Sequence, residues 1–309
     1  MAEAFTGTSA LSNQVQAAYD RVAYFALRSM PQFMQLSQVK PGNVTNPGSS
    51  VSFSFWTEMT ATTTALTETI DPDAVALAST LVSVTPAEYG NAVLLTRKLR
   101  AQTLLTGFDA DGANLISYNM VDSLDQVARA ALDGGTNVDY ITGTTEIEQV
   151  STSLVTADQI RQKHAELSGD SAIPFDGSHY FTVTHPDVGY DIKGETGDGA
   201  WVAPHQYVDP AQIYNNEIGT FGGFRFVESP RAKVNTDGGS STVDTYTSYF
   251  MGREALGEVE TIPGSTVLGP VTDKLMRFQP LGWYAFVGWD TVREAALRRL
   301  ISASAIGSN

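Results

Sequence analysis

The sequence predicts an α+β protein, and three observations lead to that class. An amphipathic helix pattern runs over residues 111–132, alternating runs typical of strands lie on both sides of it, and Gly and Pro separate those runs. With 309 residues, of which 42% are hydrophobic and 17% charged, the chain can bury a sizeable core. We therefore expect a folded protein in which the long helix is the structural spine.

A β-hairpin is predicted between residues 50 and 96. Val51, Phe53 and Phe55 alternate with serines, which predicts a half-buried strand of six residues, and a second strand runs from Thr80 to Pro86. The acidic residues of the region are Glu58, Glu68, Asp71, Asp73 and Glu88, and it contains no Lys or Arg. Because a two-stranded ribbon alone is marginal in water, we expect it to lie on a neighbouring surface.

The other elements follow from the same patterns. Helices are predicted over residues 11–36, 89–106 and 157–167, and the long helix should contain an Asp125–Arg129 pair and end at Gly134-Gly135. A strand is predicted over residues 180–184, with turns at 185–187, 220–224 and around the Pro-Leu-Gly of 280–282. The second half of residues 292–303 is assigned to a strand.

Composition excludes several classes of protein. The chain has no Cys, which rules out disulfides, thiolate nucleophiles and Cys-ligated zinc. Its start lacks the basic and apolar regions of a signal peptide, and no window approaches 18 uncharged apolar residues. We expect a soluble protein made in a cytoplasm, without a membrane span.

The sequence also lacks motifs typical of catalytic, metal-binding or cofactor-binding sites. The four histidines have no metal-ligand spacing, and no nucleophile elbow, phosphate-binding loop or dinucleotide fingerprint occurs. Glu146 and Glu148 could serve a carboxylate-dependent hydrolase, but with 34 acidic residues such pairs arise by chance. We therefore predict no enzymatic activity, no catalytic residues, no metal site and no cofactor.

The order of segments carries a family resemblance. Its motifs are Phe55-Trp56-Thr57-Glu58, Leu66-Thr67-Glu68 with Pro72, Thr85-Pro86-Ala87-Glu88-Tyr89-Gly90, the spine helix, and Pro280-Leu281-Gly282-Trp283 with Val287-Gly288-Trp289. Taken in this order, they resemble the major capsid proteins of tailed double-stranded DNA bacteriophages, which have the Hong Kong 97-type fold. The similarity covers most of the chain.

The resemblance implies a division of the chain. Residues 1–49 would be the N-terminal arm, 50–96 the E-loop, 97–137 the peripheral domain with the spine helix, 138–260 the axial domain, and 261–309 the return strands of the peripheral domain. Such proteins self-assemble into hexamers and pentamers of an icosahedral shell around packaged DNA. Two alternatives stay open, an encapsulin-like protein compartment and, more remotely, the carboxylate hydrolase.

Partners and location follow from the same resemblance. The chain would bind copies of itself, a portal and a separate scaffolding protein, because the arm is too short to include a scaffold; a decoration protein is an open alternative. The E-loop contains no Lys, so covalent cross-linking through it is not expected. A formal charge of −15 opposes tight binding of DNA phosphates, and this suits a shell wall that must release its packaged DNA. We expect no sequence-specific contact with that DNA. The protein would be made in the host bacterial cytoplasm and reside in the virion capsid.

Electrostatics suggest how neighbouring subunits meet. The hypothesis is that the acidic E-loop lies across basic residues of an adjacent subunit, while its aromatic residues supply most of the association. The expected contacts are Glu58, Glu68, Asp71 and Asp73 with Arg97, Lys98, Arg100, Arg298 and Arg299, together with apolar burial of Phe53, Phe55 and Trp56. Exposed ion pairs contribute only about 0–1 kcal/mol each, so they would set register more than strength.

Overall fold

The computed structural model describes residues 31–39, 50–69, 71, 73–102, 108–194, 217–271 and 273–307. The helices within them are α1 Arg97–Gln102, α2 Phe108–Asp133, α3 Ala157–Gly169 and α4 Pro186–Gly194. The strands are β1 Gln38–Val39, β2 Val51–Trp56, β3 Ser79–Val84, β4 Ala87–Thr96, β5 Val138–Tyr140, β6 Tyr180–Thr184, β7 Glu217–Phe221, β8 Phe224–Glu228, β9 Val234–Asn235, β10 Thr245–Met251, β11 Leu256–Leu268, β12 Phe278–Thr291 and β13 Leu297–Ser302. They form a two-stranded, a four-stranded and a seven-stranded sheet, which confirms the α+β class.

The predicted spine helix is α2. It has 26 residues, which corresponds to a length of about 39 Å at 1.5 Å per residue. One stripe of α2 is buried and packs on the four-stranded sheet, mainly on β12 and β11. The fully or nearly buried side chains of this stripe are Ile116, Leu124, Ala128 and Leu132. The helix ends just before Gly134, as predicted.

The ion pair expected within α2 is replaced by other contacts. Arg129 lies 3.7 Å from Asp133, one turn further along the helix. Asp125 is only 1% exposed, and one of its carboxylate oxygens accepts a hydrogen bond from the backbone N–H of Met34 at 3.1 Å. A buried carboxylate requires hydrogen-bond donors, and the segment before β1 supplies one through Met34.

Residues 31–39 connect the two large sheets. Phe33 packs edge-on against Tyr249 of β10, with ring centroids 5.3 Å apart. The Ser37 hydroxyl donates to the carboxylate of Glu258, and β1 pairs in parallel with β11. This segment therefore touches α2, β10 and β11. The helix predicted over residues 11–36 lies almost entirely outside the described residues.

The four-stranded sheet has the order β1-β11-β12-β4. Strand β12 continues through Pro280, so the turn predicted around Pro-Leu-Gly is wrong. Pro280 lies opposite Leu94 of β4, and a proline is compatible with a strand at a position where the ladder needs no N–H from it. Every second side chain of β12 is buried under α2; these are Leu281, Trp283, Ala285, Val287 and Trp289.

The helix predicted over residues 89–106 is also wrong in its first half. Residues 87–96 form β4, which pairs antiparallel with β12 over its whole length, and α1 starts only at Arg97. The run Ala92-Val93-Leu94-Leu95 is apolar without a clear period, so the sequence alone does not separate helix from strand. Pairing with a distant strand decides the outcome.

The seven-stranded sheet has the order β5-β13-β10-β6-β8-β7, with β9 also paired to β10. The predictions of α3 and β6 are confirmed, and α3 begins with a capping box formed by Thr156 and Gln159. The turn predicted at 185–187 is wrong, because α4 begins at Pro186, and the first helical position favours proline. The predicted turn between β7 and β8 is confirmed, with φ of 55° at Gly222 and 84° at Gly223.

Among the described residues from 108 onward, the chain crosses between the two large sheets three times. The crossings are residues 134–137, 252–255 and 292–296. They are hydrogen-bonded to one another: the backbone N–H of Gly252 donates to the carbonyl of Ala296 at 2.8 Å, and the Asn137 amide donates to the carbonyl of Glu294 at 2.7 Å. The strand predicted near the end of the chain is confirmed as β13, which lies in the seven-stranded sheet beside β5 and β10.

Candidate assembly surfaces

The hairpin of β2 and β3 is docked on its own chain at its base. The two strands pair in one register over all six residues of each. Val51, Phe53 and Val84 are buried, and they pack against Val259 of β11 and Val292. Apolar contacts of this kind hold the base of the hairpin on the four-stranded sheet.

The three aromatic residues expected at a subunit contact have different surroundings. Phe53 is 7% exposed and faces β11, and Phe55 is partly buried on the same face of the hairpin. Trp56 is 74% exposed, because alternation along β2 turns it to the opposite face. Trp56 is therefore the aromatic residue that this hairpin presents to its surroundings, while Phe53 stabilises its own subunit.

The segment between β2 and β3 exposes an unusual amount of apolar surface. Several large apolar side chains there, and one at the start of β3, are more than half exposed: Trp56, Met59, Leu66, Val75, Leu77 and Leu81. Single exposed apolar residues are common on soluble proteins, but six large ones within 26 residues are typical of a segment that is buried against a partner. The acidic residues Glu58, Glu68, Asp71 and Asp73 are exposed on the same segment.

A basic surface lies at one end of the four-stranded sheet. Arg97 and Lys98 are exposed where β4 ends, and the backbone N–H of Arg97 donates to the carbonyl of Arg277 at 2.8 Å. This bond places Arg277, which precedes β12, next to the same end, and Lys274 lies three residues before it. Arg277 forms an ion pair with Asp273, but its side chain stays 57% exposed. We call Arg97, Lys98, Lys274 and Arg277 the basic end. Sequence reasoning missed the last two, because only the β4–β12 pairing brings them there.

Two predicted cations are engaged within their own subunit. Arg298 lies 3.4 Å from Glu166 and also pairs with Asp170. Arg299 is 8% exposed and donates to the carbonyl of Gly135. Both belong to β13 in the seven-stranded sheet, away from the basic end. The side chain of Arg100 lies outside the described residues.

The carboxylates considered for catalysis serve local structure. Glu146 accepts a hydrogen bond from the Asn235 amide at 3.1 Å. Glu148 accepts one from the backbone N–H of Thr144 at 2.7 Å, and this bond is the main reason that its pKa is lowered. In the described part of the chain, no three metal-binding side chains come together. His205 lies outside it.

A shallow groove of about 310 Å³ lies along β4 and β12. Gly282 lies between two side chains that face α2, so it belongs to the opposite face of the sheet. The groove is lined by Gly90, Ala92, Val267, Pro280 and Gly282, together with Asn91, Gly269 and Trp283. It is an apolar recess beside the outer strand of the sheet.

Comparison with known proteins decides the class. A family model described as phage capsid protein matches residues 8–295. The chain belongs to the phage capsid protein family. It is a major capsid protein, a structural component of the virion's shell and not an enzyme, and the two alternative functions are not favoured.

Solved capsids share its fold. The capsid of Ralstonia phage GP4 is 14% identical with a TM-score of 0.77, over 94% of this chain and 96% of that one. The cyanophage Pam1 capsid is 12% identical with a TM-score of 0.74, over 99% and 100%. Mycobacterium phage Che8 gives 14% identity and a TM-score of 0.64, over 94% and 98%. No curated protein sequence matches the chain. The fold is the predicted Hong Kong 97-type fold.

One further finding concerns membranes. None of the helices in the described ranges combines the length and the apolar character needed to cross a bilayer.

Proposed function

We propose that this capsid protein assembles into hexamers and pentamers of an icosahedral shell that encloses double-stranded DNA, and that its hairpin segment makes the main contact with a neighbouring subunit. The observation that carries the proposal is the exposed apolar segment from Trp56 to Leu81, which a lone subunit leaves in water. Burying one large apolar side chain contributes about 1.5–3 kcal/mol, so several of them together supply a strong association.

The acidic residues of the same segment would set its register. We place Glu58, Glu68, Asp71 and Asp73 of one subunit on the basic end of the next, where Arg97 and Lys98 lie beside Lys274 and Arg277. Each exposed pair contributes about 0–1 kcal/mol, so the charges select a position and the apolar contacts hold it. Arg298 and Arg299 are weaker candidates for this contact than the sequence alone suggested, because both bond within their own chain and are largely buried. Arg277 also pairs within its own chain, with Asp273, but it remains mostly exposed.

The domain division is proposed with two changes. Residues 1–49 are the arm and 50–96 the E-loop, and the peripheral domain combines residues 97–137 with the whole of β11 and with β12. The axial domain comprises the seven-stranded sheet, so β13 is assigned to it instead of to the peripheral return strands. The arm and the E-loop each contribute one strand, β1 and β4, to the sheet of the peripheral domain.

The proposed partners follow from membership of the capsid family and from the net charge of the chain. A separate scaffolding protein and a portal take part in assembly in the host bacterial cytoplasm, and a decoration protein is an open alternative. The formal charge of −15 keeps the wall from holding DNA phosphates tightly, so the packaged DNA is not bound by sequence.

Electron microscopy of the product, expressed alone and together with the neighbouring genes of its operon, tests assembly. Closed polyhedral shells or rings of hexamer size are the expected result, and small discrete particles under every condition would contradict it. A Glu68→Lys, Asp71→Lys double variant should assemble poorly or in irregular forms. An Asp158→Lys, Asp290→Lys variant, with the same formal change in charge, is the matched control and should assemble normally. Normal assembly of both would remove the electrostatic part of the proposal.

A further inference from the structure

Strand β4 is an unguarded sheet edge. In the described part of the chain it pairs with β12 on one side and with no strand on the other. Edge strands of soluble proteins are usually protected by Lys, Pro, bulges or short length. Strand β4 has ten residues, contains no Pro or Lys, and has Glu88 as its single charge, while Val93 and Leu94 are about half exposed. A long edge of this kind, with a single charge near one end, is a template for another strand.

Pairing with β12 shows which backbone groups of β4 point outward. In an antiparallel ladder, opposite residues alternate between pairs that exchange two hydrogen bonds and pairs that exchange none. Pro280 has no N–H, so the Pro280–Leu94 pair exchanges no hydrogen bonds. By alternation, the Gly282–Ala92 and Tyr284–Gly90 pairs exchange none either. The backbone N–H of Ala92 agrees with this, because it donates to the side chain of Asn91 at 2.9 Å. Gly90 and Leu94 therefore direct their N–H groups away from the sheet.

The surroundings of this edge fit a strand with large apolar side chains. The groove formed by Gly90, Ala92, Gly282 and Pro280 runs beside β4 and has room for a side chain from an added strand. The end of β4 continues directly into the basic end at Arg97. An incoming strand should therefore be extended, carry exposed apolar residues and be acidic.

Residues 57–65 match this description through their composition. The stretch Thr57-Glu58-Met59-Thr60-Ala61-Thr62-Thr63-Thr64-Ala65 is rich in β-branched residues, has Glu58 as its single charge, is exposed throughout and forms no strand in its own subunit. We infer that residues 57–65 of one copy add to the free edge of β4 of a second copy, with Met59 in the groove and Glu58 near the basic end. The inference rests on the proposed shell and names the site on the neighbour that receives the hairpin segment.

Residue-resolved hydrogen exchange on unassembled subunits and on assembled shells tests it. The amides of Gly90 and Leu94 should exchange freely in subunits and at least about tenfold more slowly in shells, because they gain a strand partner. Residues 57–65 should slow together with them. The inward amides of Asn91 and Val93, which bond to β12, are the internal control and should be slow in both states.

A backbone variant supplies a second test. Leu94→Pro removes one outward N–H and leaves the ladder to β12 intact, so folded subunits should form with a strongly reduced shell yield. Leu94→Val, which keeps the N–H, should assemble as the wild type does. The hydrogen-exchange measurement uses the wild-type protein, so it still tests the strand pairing if Leu94→Pro prevents folding.

The possible outcomes distinguish a failure of the strand pairing from a failure of the proposed shell function. Shells in which Gly90 and Leu94 exchange as fast as in subunits would overturn the strand pairing and leave the shell function standing. Shells in which β4 slows but residues 57–65 do not would show that another segment occupies the edge. A protein that forms no shells under any condition would remove the proposed function and this inference with it.

Discussion

Removal of the Asp125 carboxylate should detach residues 31–39 from the spine helix. Asp125→Ala deletes the acceptor for the backbone N–H of Met34 at 3.1 Å. Asp125→Asn keeps a carbonyl oxygen of nearly the same shape, removes the charge and replaces the second oxygen by an NH₂ group. The pair of variants therefore separates the loss of an acceptor from the loss of a charge.

The burial of Asp125 determines how much stability the alanine variant should lose. The side chain is 1% exposed, so water cannot easily replace the missing acceptor. A buried donor left without a partner costs about 1–3 kcal/mol, and the N–H of Met34 depends on Asp125. Part of this loss is offset, because the alanine variant no longer buries a carboxylate. We expect the free energy of unfolding to fall by about 1–3 kcal/mol in the alanine variant and by about 0–1 kcal/mol in the asparagine variant.

Urea denaturation of the unassembled subunit, followed by circular dichroism, measures both values. Burial raises the pKa of Asp125 above the ordinary carboxyl value, so the folded state binds the proton more tightly than the unfolded state. The contribution of Asp125 to stability should therefore decline as pH rises through the raised pKa, and the asparagine variant should lack this slope. Equal stability of the two variants within about 0.5 kcal/mol would refute the role given to the acceptor.

Three further predictions use the same assay. Gly223→Ala should cost about 1–3 kcal/mol, because the new methyl group meets the ring of His164 at a positive φ, whereas Gly177→Ala, at a similar φ in open space, should cost about 1 kcal/mol or less. Lys163→Met should cost about 1–3 kcal/mol, because it removes a buried ammonium that bonds two carboxylates, at 2.6 and 2.7 Å. His185→Gln should abolish a loss of stability below pH 6.5, because burial lowers the pKa of His185 from that ordinary value.

Each of these predictions can fail in a definite way. Equal costs for the two glycine variants would show that strain, not the contact with His164, decides the effect. A methionine variant as stable as the wild type would mean that the ion pairs at Lys163 contribute nothing net. A wild type whose stability below pH 6.5 runs parallel to that of the glutamine variant would show that His185 titrates as it does in the unfolded chain.

Local patterns predicted the elements whose signals lie within a few residues. Strand β2 has the bounds that its alternation predicts, β6 likewise, and α3 begins after the Thr156 cap. The spine helix differs from its prediction by a few residues at its start, which is the usual uncertainty of helix ends. In each case the pattern that predicts the element is also the pattern that buries its side chains.

Long-range pairing explains the errors. Strand β4 owes its conformation to β12, almost 200 residues later, and no local signal separates its apolar run from a helix. The same pairing creates the basic end, which is why Lys274 and Arg277 were missed. Charge alone also suggested Arg298 and Arg299 as surface contacts, although β13 is an inner strand that is buried on both faces, so that neither side chain is free at the surface.

The three bonded crossings between the large sheets have a mechanical consequence. Two lobes joined by one linker can pivot when a few backbone dihedrals of the linker rotate. Here three short connections lie side by side and are hydrogen-bonded to one another, for example from Gly252 to Ala296. These bonds would have to break before the two sheets could pivot. A force that tilts one sheet against the other would then load all three connections together. The two large sheets should therefore resist pivoting more than two lobes on a single linker would.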